Sequence, residues 1–204
     1  MGLKLIQPFE HGLTWVMDEW MQRASHALVV DGEVWLIDPV DVPEAIEQAV
    51  QLGEIAGVIQ LLDRHPRACH SLASHYDVPL HRLPKGPGAL DGTPFQVIDV
   101  LDGKAWRERA LWWPDTGTLV VAEQLGTNPY YALSGKSAVG VHPMMRALVK
   151  KRVGDHLPVQ HLLVGHGAPV HQDAAVAIAA AYDGRLAHGL LLPKGLRAFF
   201  RATR

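Results

Sequence analysis

Two short apolar runs, about a hundred residues apart, constrain the fold more than any other feature of the sequence. Each run is followed by residue types that commonly bind metal ions. Gly57–Leu62 is followed by Asp63 and His65, and His161–Val164 is followed by His166 between two glycines. Continuous apolar runs bounded by turn residues are typical of strands buried on both faces. Strand ends that carry ligand-type side chains into loops are how α/β hydrolases assemble a metal centre. The two runs therefore predict a shared sheet edge with a site on it.

The remaining pattern alternates strands and helices. His26–Val30 and Val34–Ile37 predict a hairpin, because Asp-Gly-Glu separates two β-rich runs. Val42–Leu52 and Gln172–Arg185 have the apolar spacing of helices. Further strands are predicted at Val78–His81, Phe95–Val100, Arg109–Trp113 and Thr118–Ala122, and further helices at Pro66–Tyr76 and Pro143–Arg152. This order predicts an α/β (α+β) chain that folds as a four-layer αββα sandwich.

Length and composition limit the class of protein. The 204 residues fit one domain, residues 1–204, with a basic and apolar C-terminal extension over 186–204 that could pack on the domain or on a second subunit. A net charge of −2 gives no basis for nucleic-acid binding, and no membrane segment or signal peptide is evident. With one cysteine and no signal peptide, the chain is expected to be cytoplasmic. The expected partner is a small-molecule ligand or substrate, with a homo-oligomer as a further possibility.

The residues at the two strand ends suit a divalent ion. Asp63 and His65 are two positions apart, so in an extended segment their side chains point the same way. The alternative is that Asp63 caps the next helix while His65 packs against the turn. His166 lies between Gly165 and Gly167, and glycines there allow a close backbone approach that turns the imidazole into a cleft.

The order of these segments resembles the metallo-β-lactamase superfamily. The match runs through HALVV (26–30), LIDP (36–39), Val58–His65, Thr118–Glu123 and LLVGH (162–166), and covers about residues 12–185. The resemblance implies the αββα sandwich. It also implies a hydrolase in which two metal ions activate the attacking hydroxide.

The match to the family's ligands is incomplete. The family's central motif is His-x-His-x-Asp-His, in which His65 matches the second histidine and Asp63 replaces the first. Arg67 stands where the aspartate is expected, and alanine follows in place of the last histidine. Glu123 replaces the bridging aspartate, and His166 matches the final histidine.

These departures limit the expected cofactor. Arg67 stays protonated near neutral pH and would repel a second cation. At most one ion, Zn, Mn or Fe, is then expected on Asp63, His65, Glu123 and His166. The other possibility is no metal, with Arg67 replacing it through a salt bridge to Asp63 or Glu123.

Two further parts of the expected site are a substitute for one more family ligand and a substrate pocket. The family's mid-chain histidine is missing, and Asp99 or Asp102 would be the nearest substitute. Tyr130 and Tyr131 follow the bridging position and could line a substrate pocket, although aromatic residues beside strands are more often core.

Two functions follow from this reading. The favoured hypothesis is an eroded, non-catalytic site in a protein with a ligand-binding or interaction role. The alternative is a metal-dependent hydrolase of a small ester, thioester or related substrate. Fold alone does not decide between them, because function depends on the site.

Overall fold

The computed structural model describes residues 2–86, 89–104, 106–132, 138–147 and 149–186. The predicted C-terminal extension over 186–204 lies outside the described residues, apart from Leu186.

The first half of the chain forms a six-stranded sheet whose strands follow chain order. Its strands are β1 (Gly2–Phe9), β2 (Gly12–Asp18), β3 (Ala24–Val30), β4 (Glu33–Ile37), β5 (Glu54–Gln60) and β6 (Leu80–Arg82). The first four are antiparallel neighbours, whereas β5 and β6 add in parallel. Parallel neighbours need a crossover, and two helices supply the crossovers here.

Those helices are α1 (Pro43–Val50), between β4 and β5, and α2 (Cys69–Tyr76), between β5 and β6. Proline in the first turn of α1 fits the helix start, where its missing N–H costs nothing. The helix buries Ala45, Ile46 and Ala49 on one face, as the apolar spacing predicted.

The second sheet has the order β12-β9-β8-β7. The remaining elements are β7 (Gln96–Asp102), β8 (Arg107–Trp113), β9 (Thr118–Val121), the short pair β10 (Leu125–Gly126) and β11 (Gly140–Val141), β12 (His161–Val164) and α3 (Ala174–Asp183). β12 lies parallel to β9, and the other neighbours in this sheet are antiparallel.

Two apolar cores hold these layers together. One packs Leu36 and Val58 of the first sheet against Leu72 of α2. The other joins the two sheets through residues such as Ile59 and Leu111, and extends to α3. The predicted αββα layering is therefore confirmed. None of the helices in the described ranges is long and apolar enough to cross a membrane.

The two sheets are joined at the edge where β4, β5, β9 and β12 end. Ala24 N–H donates to the carbonyl of Gly165 at 2.9 Å, and Arg109 N–H donates to the carbonyl of Leu61 at 2.8 Å. These bonds cross from one sheet to the other. Side chains that follow the four strands are thereby held near one another.

Two segments differ from the sequence prediction. The helix predicted at Pro143–Arg152 is wrong, because residues 143–147 form turns and the described residues after them are irregular. Arg146 is buried there, and its guanidinium donates to the carbonyls of Val141 and Tyr131. Arg146 therefore points into the protein, whereas a surface helix turns its charged side chains toward solvent. The β1–β2 hairpin was not predicted.

The packing of α3 can be tested with two residues of that helix. Ile178 is fully buried and Val176 is 67% exposed. We expect Ile178→Ala to lower the free energy of unfolding by about 2–5 kcal/mol, since it leaves a cavity against the second sheet. Val176→Ala is the matched control and should change it by less than about 0.5 kcal/mol. Urea unfolding measures both, and equal effects would contradict the packing described.

Candidate metal centre

Three residues that follow strands meet at the shared sheet edge. His65, Glu123 and His166 each offer one ligand atom, and these atoms all lie within 4.8 Å of one another. His65 comes from the segment after β5, Glu123 follows β9 and His166 follows β12. Both histidines are buried. The chain therefore brings together three of the four metal ligands that the sequence predicted.

Two glycines allow the final loop to come this close. A Cβ on Gly165 would lie 2.1 Å from the carbonyl oxygen of Ala122, which is closer than real Cβ contacts. Gly167 has a φ of +107°, and a Cβ there would meet the Thr127 hydroxyl at 2.2 Å. The close backbone approach predicted from the sequence on both sides of His166 is confirmed.

The hydrogen bonds of the two imidazoles fix their tautomers. His65 Nδ1 lies 3.0 Å from a carboxylate oxygen of Asp38, and His166 Nδ1 lies 3.1 Å from the carbonyl oxygen of Met21. Because a carbonyl or a carboxylate accepts hydrogen bonds, each Nδ1 carries the proton. Each Nε2 then carries a lone pair, as in metal-binding histidines held by such acceptors. The lone pair of His65 faces an Arg67 N–H at 3.4 Å. His166 Nε2 is buried and has no hydrogen-bond partner.

Arg67 points into the same centre. Its guanidinium donates to the carbonyls of Ala24, Asp38 (2.8 Å) and Gly165 (3.1 Å), and lies 3.4 Å from His65 Nε2. The partners are thus backbone carbonyls, rather than the carboxylates of Asp63 or Glu123 that the sequence analysis considered. The backbone of Arg67 is left-handed, with a φ of 37°, which is uncommon for a non-glycine residue.

Asp38 accepts a hydrogen bond from neutral His65 and balances the positive charge of Arg67. One carboxylate oxygen accepts the N–H of Leu61 at 2.9 Å, and the other accepts from His65. Burial raises the pKa of Asp38 to about 6, and the charge of Arg67 opposes that rise. Near neutral pH, Asp38 is therefore a carboxylate that balances the buried guanidinium. The sequence analysis used it only as part of the LIDP match and assigned it no role.

The structure places Asp63 away from the three ligand atoms. Residues 63 and 64 form a turn rather than an extended strand end, so the assumed common direction of Asp63 and His65 does not apply. The Asp63 carboxylate accepts the backbone N–H of Arg107 at 3.1 Å. Asp99 and Asp102 form ion pairs with Arg109 at 3.0 and 3.4 Å.

Glu123 is held by neighbours that the sequence analysis did not identify. Arg64 donates to its carboxylate at 2.8 Å, and the Arg64 guanidinium stacks over the ring of Trp106 at 3.9 Å. Buried Glu108 accepts the backbone N–H groups of Glu123 and Gln124 at 2.7 and 2.8 Å. Burial raises the pKa of Glu108 to about 7. Nothing in the spacing of Glu108 indicated this role.

His142 is a further imidazole beside the centre. Its Nε2 lies 3.8 Å from Glu123, and its ring makes edge contacts with Tyr130 and Tyr131. His142 directly precedes the segment that was wrongly predicted as a helix, so the direction of its side chain could not be inferred from the sequence. Its position on the chain also differs from that of the mid-chain histidine expected from the resemblance.

An open cleft of about 480 Å³ leads from solvent to the centre. It is lined by Glu19, Trp20, Met21, Arg23, Arg64, His65, Glu123 and His166. Of the two predicted pocket residues, Tyr130 packs edge-on against Trp20 in the cleft wall. Tyr131 is fully buried, and its ring stacks with that of His166 at 5.9 Å.

The electrostatics of the centre keep both imidazoles neutral. Burial lowers the pKa of His65 and of His166, and the charge of Arg67 lowers both further. Burial also raises the pKa of Glu123, while Arg64 opposes that rise. A neutral imidazole is the form that binds a metal ion or accepts a hydrogen bond.

His26 lies on β3 in the same charged region and gives a testable pH effect. Burial lowers the pKa of His26 to about 3, and Arg67 adds to this shift. The unfolded chain therefore binds more protons than the folded chain between about pH 3 and 6.5, so stability is lost as the pH falls below 6.5. Compared with His26→Gln, the native protein should lose about 2 kcal/mol more between pH 7 and pH 5. Urea unfolding at both pH values measures this, and parallel pH profiles would contradict it.

No protein-family model matches this sequence, and no curated protein sequence matches it. The structure is similar to that of the metallo-β-lactamase DIM-1, with a TM-score of 0.62 and 11% identity over 92% of this chain and 98% of that one. A structure of DIM-1 exposed to ceftazidime gives a TM-score of 0.58 and 10% identity over 90% and 97% of the two chains. TMB-1 gives a TM-score of 0.58 and 11% identity over 90% and 98%. The chain therefore has the metallo-β-lactamase fold.

Proposed function

We propose that this protein is a non-catalytic, small-molecule-binding form of the metallo-β-lactamase fold. Arg67 is the permanent cation of its centre, and at most one divalent ion binds there. The observation that carries the proposal is the buried guanidinium, which donates to three backbone carbonyls and lies 3.4 Å from His65 Nε2.

The position of this guanidinium argues against two ions. It carries a fixed positive charge, and the low dielectric constant of a water-poor site strengthens repulsion between nearby cations. The acidic side chains nearest to it are Asp38, which already balances its charge, and Glu123, which pairs with Arg64. The donor set therefore does not fit a two-metal centre.

One ion fits the remaining donors. Two imidazoles and one carboxylate form a set that zinc uses in single-ion sites. An ion bound there would displace the 3.4 Å contact between Arg67 and His65 Nε2. A buried acceptor without a partner costs about 1–3 kcal/mol, so His166 Nε2 favours an occupant such as a cation. Zn, Mn and Fe all accept such ligands. Nearby Arg67 weakens the binding of any of them.

The cleft suits a small ligand with both polar and apolar parts. Trp20 and Met21 give it an apolar wall, and Arg64 and Glu123 give it charged groups near the centre. Pockets of this size with a few convergent polar groups are typical of small-molecule sites. We therefore place the ligand between the Trp20 wall and the imidazoles.

A metal-dependent hydrolase of a small ester or thioester is the second candidate. It is favoured by the three ligand atoms within 4.8 Å of one another and by their access to the cleft. An ion held there would supply Lewis-acid activation. In that case His65 and His166 would bind the ion and Glu123 would complete the donor set, while Arg64 would orient the Glu123 carboxylate.

The zinc affinity of an Arg67 variant tests whether the charge of Arg67 opposes ion binding at the centre. Arg67→Gln removes the charge but keeps a side-chain N–H donor, so we expect zinc to bind at least about tenfold more tightly at the centre. Competition with a chromophoric chelator measures the affinity, and ions that bind at the centre are those lost in His166→Ala. Arg107→Gln is the control, since Arg107 is half-exposed and pairs with Asp63. Unchanged zinc affinity in Arg67→Gln would contradict the proposal.

Hydrolysis separates the two candidates. Protein incubated with Zn²⁺, Mn²⁺ or Fe²⁺ should hydrolyse p-nitrophenyl acetate and an acyl thioester no faster than His166→Ala treated in the same way. The reason is that Arg67 opposes the second ion, and a single weakly held ion is a poor activator. A rate at least tenfold above that of His166→Ala, at one bound ion per chain, would instead establish the hydrolase.

A further inference from the structure

A second group of histidines lies at the opposite end of β12 from the centre. His161 begins this strand and His166 follows it, so about 10 Å of strand separates the two regions. After the loop at the centre, the chain turns back and pairs Val170 with Leu162 through two backbone hydrogen bonds of 2.8 and 2.9 Å. This pairing places His171 directly beside His161.

The two imidazoles face each other through the same ring atom. The Nδ1 atoms of His161 and His171 are 3.0 Å apart. Two nitrogen ligands that bind one ion at about 2.1 Å with an angle near 90° have this separation. Phe9 stacks on His171, with ring centroids 5.0 Å apart, and so limits the rotation of that ring.

The β1–β2 turn adds further donors to this group. The His11 ring lies 5.7 Å, centroid to centroid, from that of His161. Glu10 is beside His11, and its negative charge acts on His161. Burial lowers the pKa of both His161 and His171, which leaves both imidazoles neutral near pH 7. All of these residues are at least partly exposed, so an ion can reach them from solvent.

We propose that His161 and His171 form a second divalent-metal site, with His11 and Glu10 at its open side. Neutral imidazoles favour the late first-row ions Cu²⁺, Ni²⁺ and Zn²⁺. The ion replaces the Nδ1 proton of the ring that donates in this contact. That ring takes up a proton at Nε2 instead, so both imidazoles stay neutral and no net proton is released. Because His161 begins β12 of the second sheet and Glu10 lies in the turn that joins β1 to β2 of the first, a bound ion ties the two sheets together. This site does not depend on the function proposed for the centre.

Copper binding tests the site directly. The probe is Cu²⁺ in a non-coordinating buffer, read by electron paramagnetic resonance and by titration, in the native protein and in His166→Ala. We expect this site to bind one Cu²⁺ with nitrogen superhyperfine structure in both, because it is separate from the centre. Any further Cu²⁺ in the native protein is the ion that His166→Ala loses. His161→Gln and His171→Gln should each weaken the Cu²⁺ bound at this second site by at least tenfold. His156→Gln is the control, since its side chain is 92% exposed and outside the group.

Stability gives an independent reading of the same site. In His166→Ala, Zn²⁺ at about a hundred times its dissociation constant should raise Tm by about 5–10 °C, and His171→Gln should abolish that rise. Cu²⁺ affinity that is unchanged in both glutamine variants would overturn the proposal. So would a copper signal that disappears in His166→Ala alone, or the lack of any zinc-dependent rise in Tm.

Discussion

The guanidinium of Arg67 joins strand ends that come from different sheets. Its N–H groups reach the carbonyls of Ala24 in β3, Asp38 after β4 and Gly165 after β12. The carbonyls of Gly165 and Asp38 also accept from the Ala24 N–H and the Ser25 hydroxyl, so the guanidinium adds to a buried network in which these acceptors are satisfied. Asp38 supplies the opposite charge that allows the cation to be buried. The same group thus closes the edge of the sandwich and sets the charge of its centre.

The rest of the centre is organised around that buried charge. Asp38 and the carbonyl of Met21 hold the protons of His65 and His166 on Nδ1, so that both Nε2 lone pairs face inward. Glu108 fixes the backbone that carries Glu123. Asp38 and Arg67 both have a left-handed backbone, which is unfavourable for non-glycine residues, and the contacts of their side chains hold it in place. The arrangement combines a rigid positive group with acceptors that are ready for one more cation.

The sequence predicted the fold well where apolar patterns were long. The β3–β4 hairpin, α1 and β12 follow directly from turn residues and periodicity. The β1–β2 hairpin was missed even though β2 is almost entirely buried. The helix at Pro143–Arg152 was wrongly predicted, since residues 143–147 form turns and Arg146 is tethered inward.

The site was harder to predict because side-chain direction depends on local backbone geometry. The strand ends indicated His65 and His166, and the family resemblance added Glu123. Asp63 could not, because the chain turns at residues 63 and 64 instead of continuing as a strand. Whether Arg67 points inward depends on a left-handed φ that nothing in the sequence indicates. His142 lies in irregular structure, where no periodicity gives its direction.

A cation that is part of the polypeptide has a consequence for how this protein is made and maintained. Chelators strip ions from proteins whose folding depends on them, and such proteins fail to mature when the supply of metal is short. Arg67 is incorporated during synthesis and cannot be extracted or exchanged for a competing ion. The edge of this sandwich is therefore closed at the same moment as the chain folds, whatever the surrounding metal concentration.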